Sequence, residues 1–579
     1  MGLLIALLLA GINDVSLVKV YGATVFSEKE IIEVSNIRKG KPLRKAAIRG
    51  AVIRIKGLYE SKGYFRASVT DTVVHTARGM EVHLFIDEGP RAKIVDIIPE
   101  GMGSIDSLSL QRMLVRTVPK ELPVPYDEAI IASIEQSLYS LYQNSGFPMV
   151  EVTSETEEVV PNLMLIRVRI NEGPRVRVRE VVVRGNEKVK TDIIEREITV
   201  KPGRFYSFSE IAESQRRIYA TGLFSSVEYS IDSLGPNDTL VILYFTVREA
   251  SPRYIDLGGG FHTPRELQAK AGIGHLNFWG RGQRIELSGE ASWNFLWFTQ
   301  DTVPSFPRRK LGLTYSEPYF LGFRLDATAT GTYSYDVDLE YEDYTVTFLT
   351  RKYLGRLWSV SPGVKWSYSR NISGKPIAVP RVTVNAFTQE IMLDARDNIF
   401  DPTRGSYGRL RLEETGGILR GDADLIKVFV SFSVYSRLTK GGYLLATRVS
   451  LGHIEPYGRS SSVPHTERFT LGGDGTVRGY ARYSIGAYDP REIRSGSAFL
   501  NANLELRKHL TNTWGFALFA DAGGLWRSLN SVDLSETGLS CGLGIRYYLP
   551  IGPVRLDWAR PVFNYSGWGI IHLGLGHMF

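Results

Sequence analysis

Ile571-His572-Leu573-Gly574-Leu575-Gly576-His577-Met578-Phe579 alternates with period two. Phe579, His577, Leu575, Leu573 and Ile571 fall on one face, and Met578, Gly576, Gly574 and His572 on the other. This is the pattern of a strand with one apolar face and one small or polar face. In a soluble protein a terminal strand of this kind leaves a hydrophobic edge exposed, and a free edge invites aggregation. In a transmembrane barrel the same strand closes the sheet, and its last aromatic joins the interfacial girdle.

The same alternation runs back through the chain to Arg253. Phe323, Leu325, Ala327, Ala329, Tyr333 and Tyr335 oppose Arg324, Asp326, Thr328, Thr330, Thr332 and Ser334. Leu500, Ala502, Leu504 and Leu506 oppose Asn501, Asn503, Glu505 and Arg507, and Val554, Leu556 and Trp558 oppose Arg555 and Asp557. Gly, Asn, Asp and Pro turns separate these runs, and no helix-period segment interrupts them. A soluble sandwich also alternates. More than 300 residues of such strands, with Tyr and Trp near strand ends, favour lipid outside and water within. At roughly 20 residues per strand and connection, residues 252–579 predict an antiparallel transmembrane β-barrel of about 16 strands.

Before Arg253 the period changes. Three amphipathic helical runs, Ile48 to Tyr59, Ala129 to Tyr142 and Phe208 to Tyr219, are followed by Lys62-Gly63-Tyr64-Phe65, Ser145-Gly146-Phe147-Pro148 and Thr221-Gly222-Leu223-Phe224. Each glycine suits a helix C-terminus leading into a strand. Two copies close on the same tetrapeptide, Glu88-Gly89-Pro90-Arg91 and Glu172-Gly173-Pro174-Arg175, and the third on Val247-Arg248-Glu249-Ala250-Ser251-Pro252-Arg253. The repeating unit is strand, two helices, two strands. The expected domains are 17–90, 91–174 and 175–251, each a small α+β fold, with the barrel following.

Composition narrows the function. Basic residues number 69 and acidic 62, a net charge of +7 spread over 579 residues, with no compact basic stripe to hold nucleic acid. A single cysteine, Cys541, permits neither an intrachain disulfide nor a thiolate zinc cluster. Met1 to Ile12 is apolar but shorter than the roughly 18 to 20 residues of a spanning helix. Residues 1–16 read as a signal-peptide-like segment, although no basic residue precedes Lys19; a short apolar arm of the mature protein is the alternative.

Three stretches in the barrel half are too polar and glycine-rich for ordinary strands. Leu471-Gly472-Gly473-Asp474-Gly475-Thr476-Val477-Arg478-Gly479-Tyr480 reads as a long loop folding back tightly with Arg478 at its tip, or as a solvated surface loop. Phe519-Ala520-Asp521-Ala522-Gly523-Gly524-Leu525-Trp526 is a strand that places Asp521 on the face opposite Leu518 and Ala520. Asp397-Asn398-Ile399-Phe400-Asp401-Pro402-Thr403-Arg404-Gly405 reads as a turn.

At these residues the chain resembles the outer-membrane β-barrel assembly factors of the BamA and TamA type, a family that includes two-partner secretion transporters. Val477, Arg478, Gly479 and Tyr480 are similar to the family's signature loop, which folds back inside the barrel. Phe519, Asp521 and Gly523 resemble the inner-wall motif whose aspartate holds the loop arginine. The 397–405 turn, Glu317-Pro318-Tyr319-Phe320 and Gly552-Pro553-Val554-Arg555-Leu556-Asp557 also look like family features, and the N-terminal repeats look like POTRA domains. The resemblance implies that Arg478 pairs with Asp521 and locks the loop. Arg478→Ala is then expected to lower activity, and reversing both charges to restore part of it.

No Gly-x-Ser-x-Gly elbow, Walker loop or His-x-x-x-His pair is present, so no catalytic residue, metal or cofactor is assigned. Glycines Gly258, Gly259 and Gly260 in the first barrel strand, and Gly574 and Gly576 beside Phe579 in the last, would weaken pairing at a lateral seam. The resemblance implies location in the bacterial outer membrane, with the POTRA repeats in the periplasm. It implies capture of unfolded β-barrel clients by β-augmentation, insertion through the seam, and periplasmic or lipoprotein accessory subunits. A two-partner polypeptide secretion pore and a TamA-like translocation and assembly module are the rival readings; three repeats and no plug helix count against the first.

Overall fold

The computed structural model describes residues 14–76, 79–118, 122–235, 237–262, 266–294, 308–336, 340–372, 381–438, 442–486, 494–550, 552–563 and 568–579. Most of the signal-like segment lies outside them. The chain forms two compact units, one running to Asn186 and resuming over Ile194–Arg248, the other comprising Glu187–Ile193 with Glu249–Phe579.

The first repeat is β1 (Val15–Tyr21), α1 (Glu28–Ser35), α2 (Lys45–Ser61), β2 (Ser68–Thr76) and β3 (Gly79–Asp87). The second is β4 (Lys93–Glu100), α3 (Ser107–Thr117), the short β5 (Val124–Pro125), α4 (Glu128–Gln143), β6 (Glu151–Val160) and β7 (Leu163–Asn171). The third is β8 (Arg177–Arg184), α5 (Thr191–Glu195), α6 (Phe208–Ala220), β9 (Phe224–Ile231) and β10 (Leu240–Glu249). In each, the first strand pairs in parallel with the last, which occupies the inside of the sheet. Helix and sheet close on small apolar cores, Ile31, Ile55, Tyr59 and Leu84 in the first and Ile134, Leu138, Tyr142 and Ile166 in the second.

One device recurs in all three. The first strand ends on a glycine, Gly22, Gly101 or Gly185, at φ of +80°, +85° and +89°. A Cβ there would lie 2.1 to 2.2 Å from the carbonyl oxygen of Ile86, Ile170 or Val247, so no side chain fits. The turn that follows is held by the glutamate after the last strand or at its end. Glu88 accepts from the backbone N–H of Thr24 (2.7 Å) and Val25 (2.9 Å), and Glu172 from Gly103 (2.8 Å) and Ser104 (3.0 Å). Glu249 accepts from Glu187, Lys188 and Val189, each at 2.8 Å. Burial pushes each of these carboxyls up, but the hydrogen bonds outweigh it and hold all three below the ordinary value of 4.5.

The second unit is a closed barrel of sixteen strands, each hydrogen-bonded to its neighbours in sequence. They are β11 (Arg253–His262), β12 (Glu266–His275), β13 (Arg284–Asn294), β14 (Arg308–Glu317), β15 (Asp326–Asp336), β16 (Tyr341–Leu354), β17 (Trp358–Asn371), β18 (Arg381–Asp394), β19 (Gly405–Thr415), β20 (Leu425–Arg437), β21 (Tyr443–Pro456), β22 (Ala498–His509), β23 (Trp514–Trp526), β24 (Thr537–Leu549), β25 (Gly552–Pro561) and β26 (Ile570–Leu575). The rim where β11 starts is called here the near rim. The alternation is inside out: Leu504 and Leu556 are 48% and 46% exposed, whereas Glu505 and Asp557 are wholly buried. A wall with leucine outside and carboxylate inside is stable only in lipid. The strand expected from Phe323 begins instead at Asp326, because Phe320–Gly322 turns tightly and places Leu321 at φ +54°.

Pairing is uneven around the barrel. Among the described residues β17 and β18 share thirteen register pairs, as do β20 and β21, whereas β11 and β26 share two, Phe261 with Leu573 and His262 with His572. From Arg253 to Gly260 the seam edge of β11 has no register partner in β26.

Candidate functional site: a locked loop inside the barrel

The connection between β21 and β22 folds into the lumen and carries Val477, Arg478, Gly479 and Tyr480. Arg478 is completely buried. Its Nε and Nη2 grip Asp521 at 2.7 and 3.0 Å, and its backbone N–H donates to the same carboxylate at 3.1 Å. Nη1 donates to Glu505 (3.0 Å) and Asp557 (3.1 Å), while the guanidinium lies 3.4 Å above the centre of the Phe519 ring. Three strands, β22, β23 and β25, thus present carboxylates to one cation.

Those carboxylates have further partners. Arg546 bridges Glu505 (2.9 Å) and Asp557, Arg507 donates to Glu505 (3.0 Å), and Arg555 links Asp557 (3.1 Å) to Asp474 of the loop (3.0 Å). Arg478, Arg507, Arg546 and Arg555 balance Asp474, Glu505, Asp521 and Asp557. Balance is what permits charge at full burial, since an isolated ion there would be prohibitively costly. Asn503 holds Asp521 (2.8 Å) and the Thr476 carbonyl (2.7 Å), fixing the aspartate from the other side.

Glycines form the floor. A Cβ on Gly523 would lie 2.5 Å from Leu471 and 2.7 Å from Val477, and one on Gly542 2.3 Å from the Phe519 ring. Gly523 leaves the hollow that Val477 fills. Tyr480 lies on Gly538 and hydrogen-bonds the backbone of Leu539 in β24. Gly479 is at φ +86°, and a Cβ there would lie 3.2 Å from the Ala559 and Arg560 backbone.

Two attachments escaped the sequence reading. The Gly479 N–H donates to Nε2 of buried His572 at 3.3 Å, so the loop tip touches the seam strand β26 itself. Across the lumen, Glu467 of the same loop meets Lys365 of β17 (3.4 Å) and Lys427 of β20 (3.6 Å), and Glu413 pairs with Lys365. The sequence alone assigned Glu505, Asp557 and Glu467 no partner, because nothing in their local pattern says which cation reaches them.

Of the seam residues, Gly258, Gly259 and Gly260 lie in β11 opposite Lys270, Ala269 and Gln268 of β12. At Gly574 a Cβ would meet the Arg555 guanidinium at 3.2 Å. The placement of Phe579 in the last strand and the girdle is corrected. β26 ends at Leu575, and Gly576 at φ +86° turns the chain into the lumen. Phe579 packs on Tyr435, Leu444 and Ala446, with Arg448 and Arg507 over its ring at 4.9 and 5.5 Å. His577 bonds Asp401 of the 397–405 turn at 2.9 Å. Packing of the half-buried aromatic against two guanidinium groups replaces the lipid contact expected of it.

Fold and site together define an outer-membrane barrel carrying α/β repeats and a lumen loop locked by ion pairs. The Omp85 superfamily domain matches residues 277–579, just over half of the 579 residues, and the surface antigen variable number repeat, POTRA, matches residues 14–89 and 176–250. The chain belongs to the Omp85 superfamily, whose members sit in the outer membrane with their POTRA domains in the periplasm. It is 22% identical to the outer membrane protein assembly factor BamA of Neisseria meningitidis serogroup B over 88% of its own length and 70% of that protein. It is 26% identical to BamA of Nitratidesulfovibrio vulgaris over 86% of its length and 63% of that relative. The fold is similar to the crystal structure of BamA from Haemophilus ducreyi lacking POTRA domains 1–3, with a TM-score of 0.67 at 20% identity, covering 84% of this chain and all of that one.

Proposed function

We propose that this protein assembles β-barrel clients into the outer membrane, without catalytic chemistry, by pairing an incoming strand with the free edge of β11. The observation that carries this reading is the seam: among the described residues two register pairs close it, and residues 253–260 have no register partner in β26. An unpaired edge in hydrocarbon is costly, so a client strand that supplies its hydrogen bonds is strongly favoured there. The edge strands of the repeats, β2, β6 and β9, offer the same augmentation chemistry to clients and to periplasmic or lipoprotein accessory subunits. The names of the BamA relatives support the reading.

The test is reconstitution of the purified chain in liposomes with an unrelated, urea-unfolded barrel. Insertion should accelerate relative to empty liposomes. A disulfide between Phe261→Cys and Leu573→Cys, which are register partners, should abolish the acceleration, and reductant should restore it. Undiminished insertion with the seam bridged, or transport of one exoprotein without any insertion, would overturn the proposal.

A further inference from the structure

The outer face of the first four barrel strands holds a concavity of about 730 Å³ at the near rim, within the ~300–1,000 Å³ typical of ligand sites. Its walls are apolar, chiefly Ile255, Ile273, Leu287 and Leu313, which are 72%, 59%, 51% and 51% exposed. They therefore face the bilayer. At its rim end stand Arg253 and His275, register partners on β11 and β12, whose side chains share this face of the sheet.

Both are poised as donors. Among the described residues Arg253 forms no ion pair. His275 Nδ1 accepts from the Asn277 N–H at 3.1 Å, which places a proton on Nε2 and leaves that N–H for an outside acceptor. An arginine at a membrane boundary commonly reaches into the headgroup layer alone. Here a second donor stands directly across the ladder, above an apolar hollow.

We infer that this is a phospholipid site, in which Arg253 and His275 bind the headgroup phosphodiester of a periplasmic-leaflet lipid and the concavity takes an acyl chain. The charge at one end and the hydrocarbon walls below match an amphiphile and no purely polar ligand. Guanidinium and imidazole N–H groups suit phosphate oxygens, and the site lies where the leaflet supplies them. The lipid sits at the foot of β11, the strand whose residues 253–260 have no register partner in β26.

Native mass spectrometry of the full chain in mild detergent, loaded with phosphatidylglycerol, tests this. One lipid should remain bound per chain, and the Arg253→Gln/His275→Gln double variant should retain at least fivefold less. Arg253→Lys, which keeps the charge and reports on folding, should retain most of it, and Arg309→Gln on the neighbouring outer wall should be unchanged. Equal retention by the double variant would overturn the proposal, as would equal retention of diacylglycerol, which lacks the phosphate. Displacement by millimolar inorganic phosphate would show a free-anion site and overturn the lipid assignment.

Discussion

Arg478 shows how one side chain can be legible in type and still misjudged in connection. The glycine-rich loop and the Phe-x-Asp-x-Gly strand pointed to it and to Asp521, but the guanidinium serves Glu505 and Asp557 as well. Arg478→Ala leaves three buried carboxylates short of a partner, and breaking a buried pair costs about 3 to 5 kcal/mol. We expect the variant to lose most insertion activity and to expose its loop to limited proteolysis; a parental digestion pattern would refute the lock. Exchanging the charges, Arg478→Asp with Asp521→Arg, should fail to rescue, since it removes the guanidinium that Glu505 and Asp557 share and adds a further negative charge on the loop in its place. At Gly523 the constraint is steric. Gly523→Val drives a side chain into Leu471 and Val477, and overpacking of this kind costs about 1 to 3 kcal/mol. A lowered thermal midpoint with an unseated loop is expected, and full parental stability would contradict the floor assigned to this glycine.

Among the elements, the repeats were the most readable, because helix period, C-terminal glycine and the Glu-Gly-Pro-Arg close are all local signals. What the glutamate does was not readable, since its partners lie some sixty residues away in sequence. Glu88, Glu172 and Glu249 have folded pKa values below 4.5, so the stability they contribute is present above that value and lost as pH falls through the depressed one. Amides of the turns after Gly22, Gly101 and Gly185 should therefore lose hydrogen-exchange protection on acidification below about pH 4.5. Glu172→Gln should lose it already at neutral pH in its own repeat alone, and pH-independent protection would refute the assignment. In β26, His572 joins the loop to the seam by accepting the Gly479 N–H. His572→Phe removes the acceptor and should raise exchange at Ile571 to Leu575 several-fold. His572→Gln can still accept from Gly479 and should stay near the parent; identical behaviour of the two variants would remove His572 from the coupling.

For the whole molecule, protection should follow the pairing around the barrel. Among the described residues β11 and β26 share two register pairs and should exchange fastest, while β17 with β18 and β20 with β21, at thirteen each, should exchange slowest. Uniform protection around all sixteen strands would contradict a weak seam. By itself the chain's order of residues determined the two architectures, their junction near Arg253 and the approximate strand number, because periodicity and turn chemistry act over a few neighbouring residues. It also marked the loop, its arginine and one carboxylate partner. Only the tertiary structure decided that three strands converge on Arg478, that His572 and Glu467 tether the same loop, and that the segment after Leu575 turns inward to pack Phe579 on Tyr435 and two arginines. Those outcomes depend on how a closed sheet brings distant strands to one point, and on whether an aromatic packs better against two arginines or against lipid. Neither is written in any local pattern.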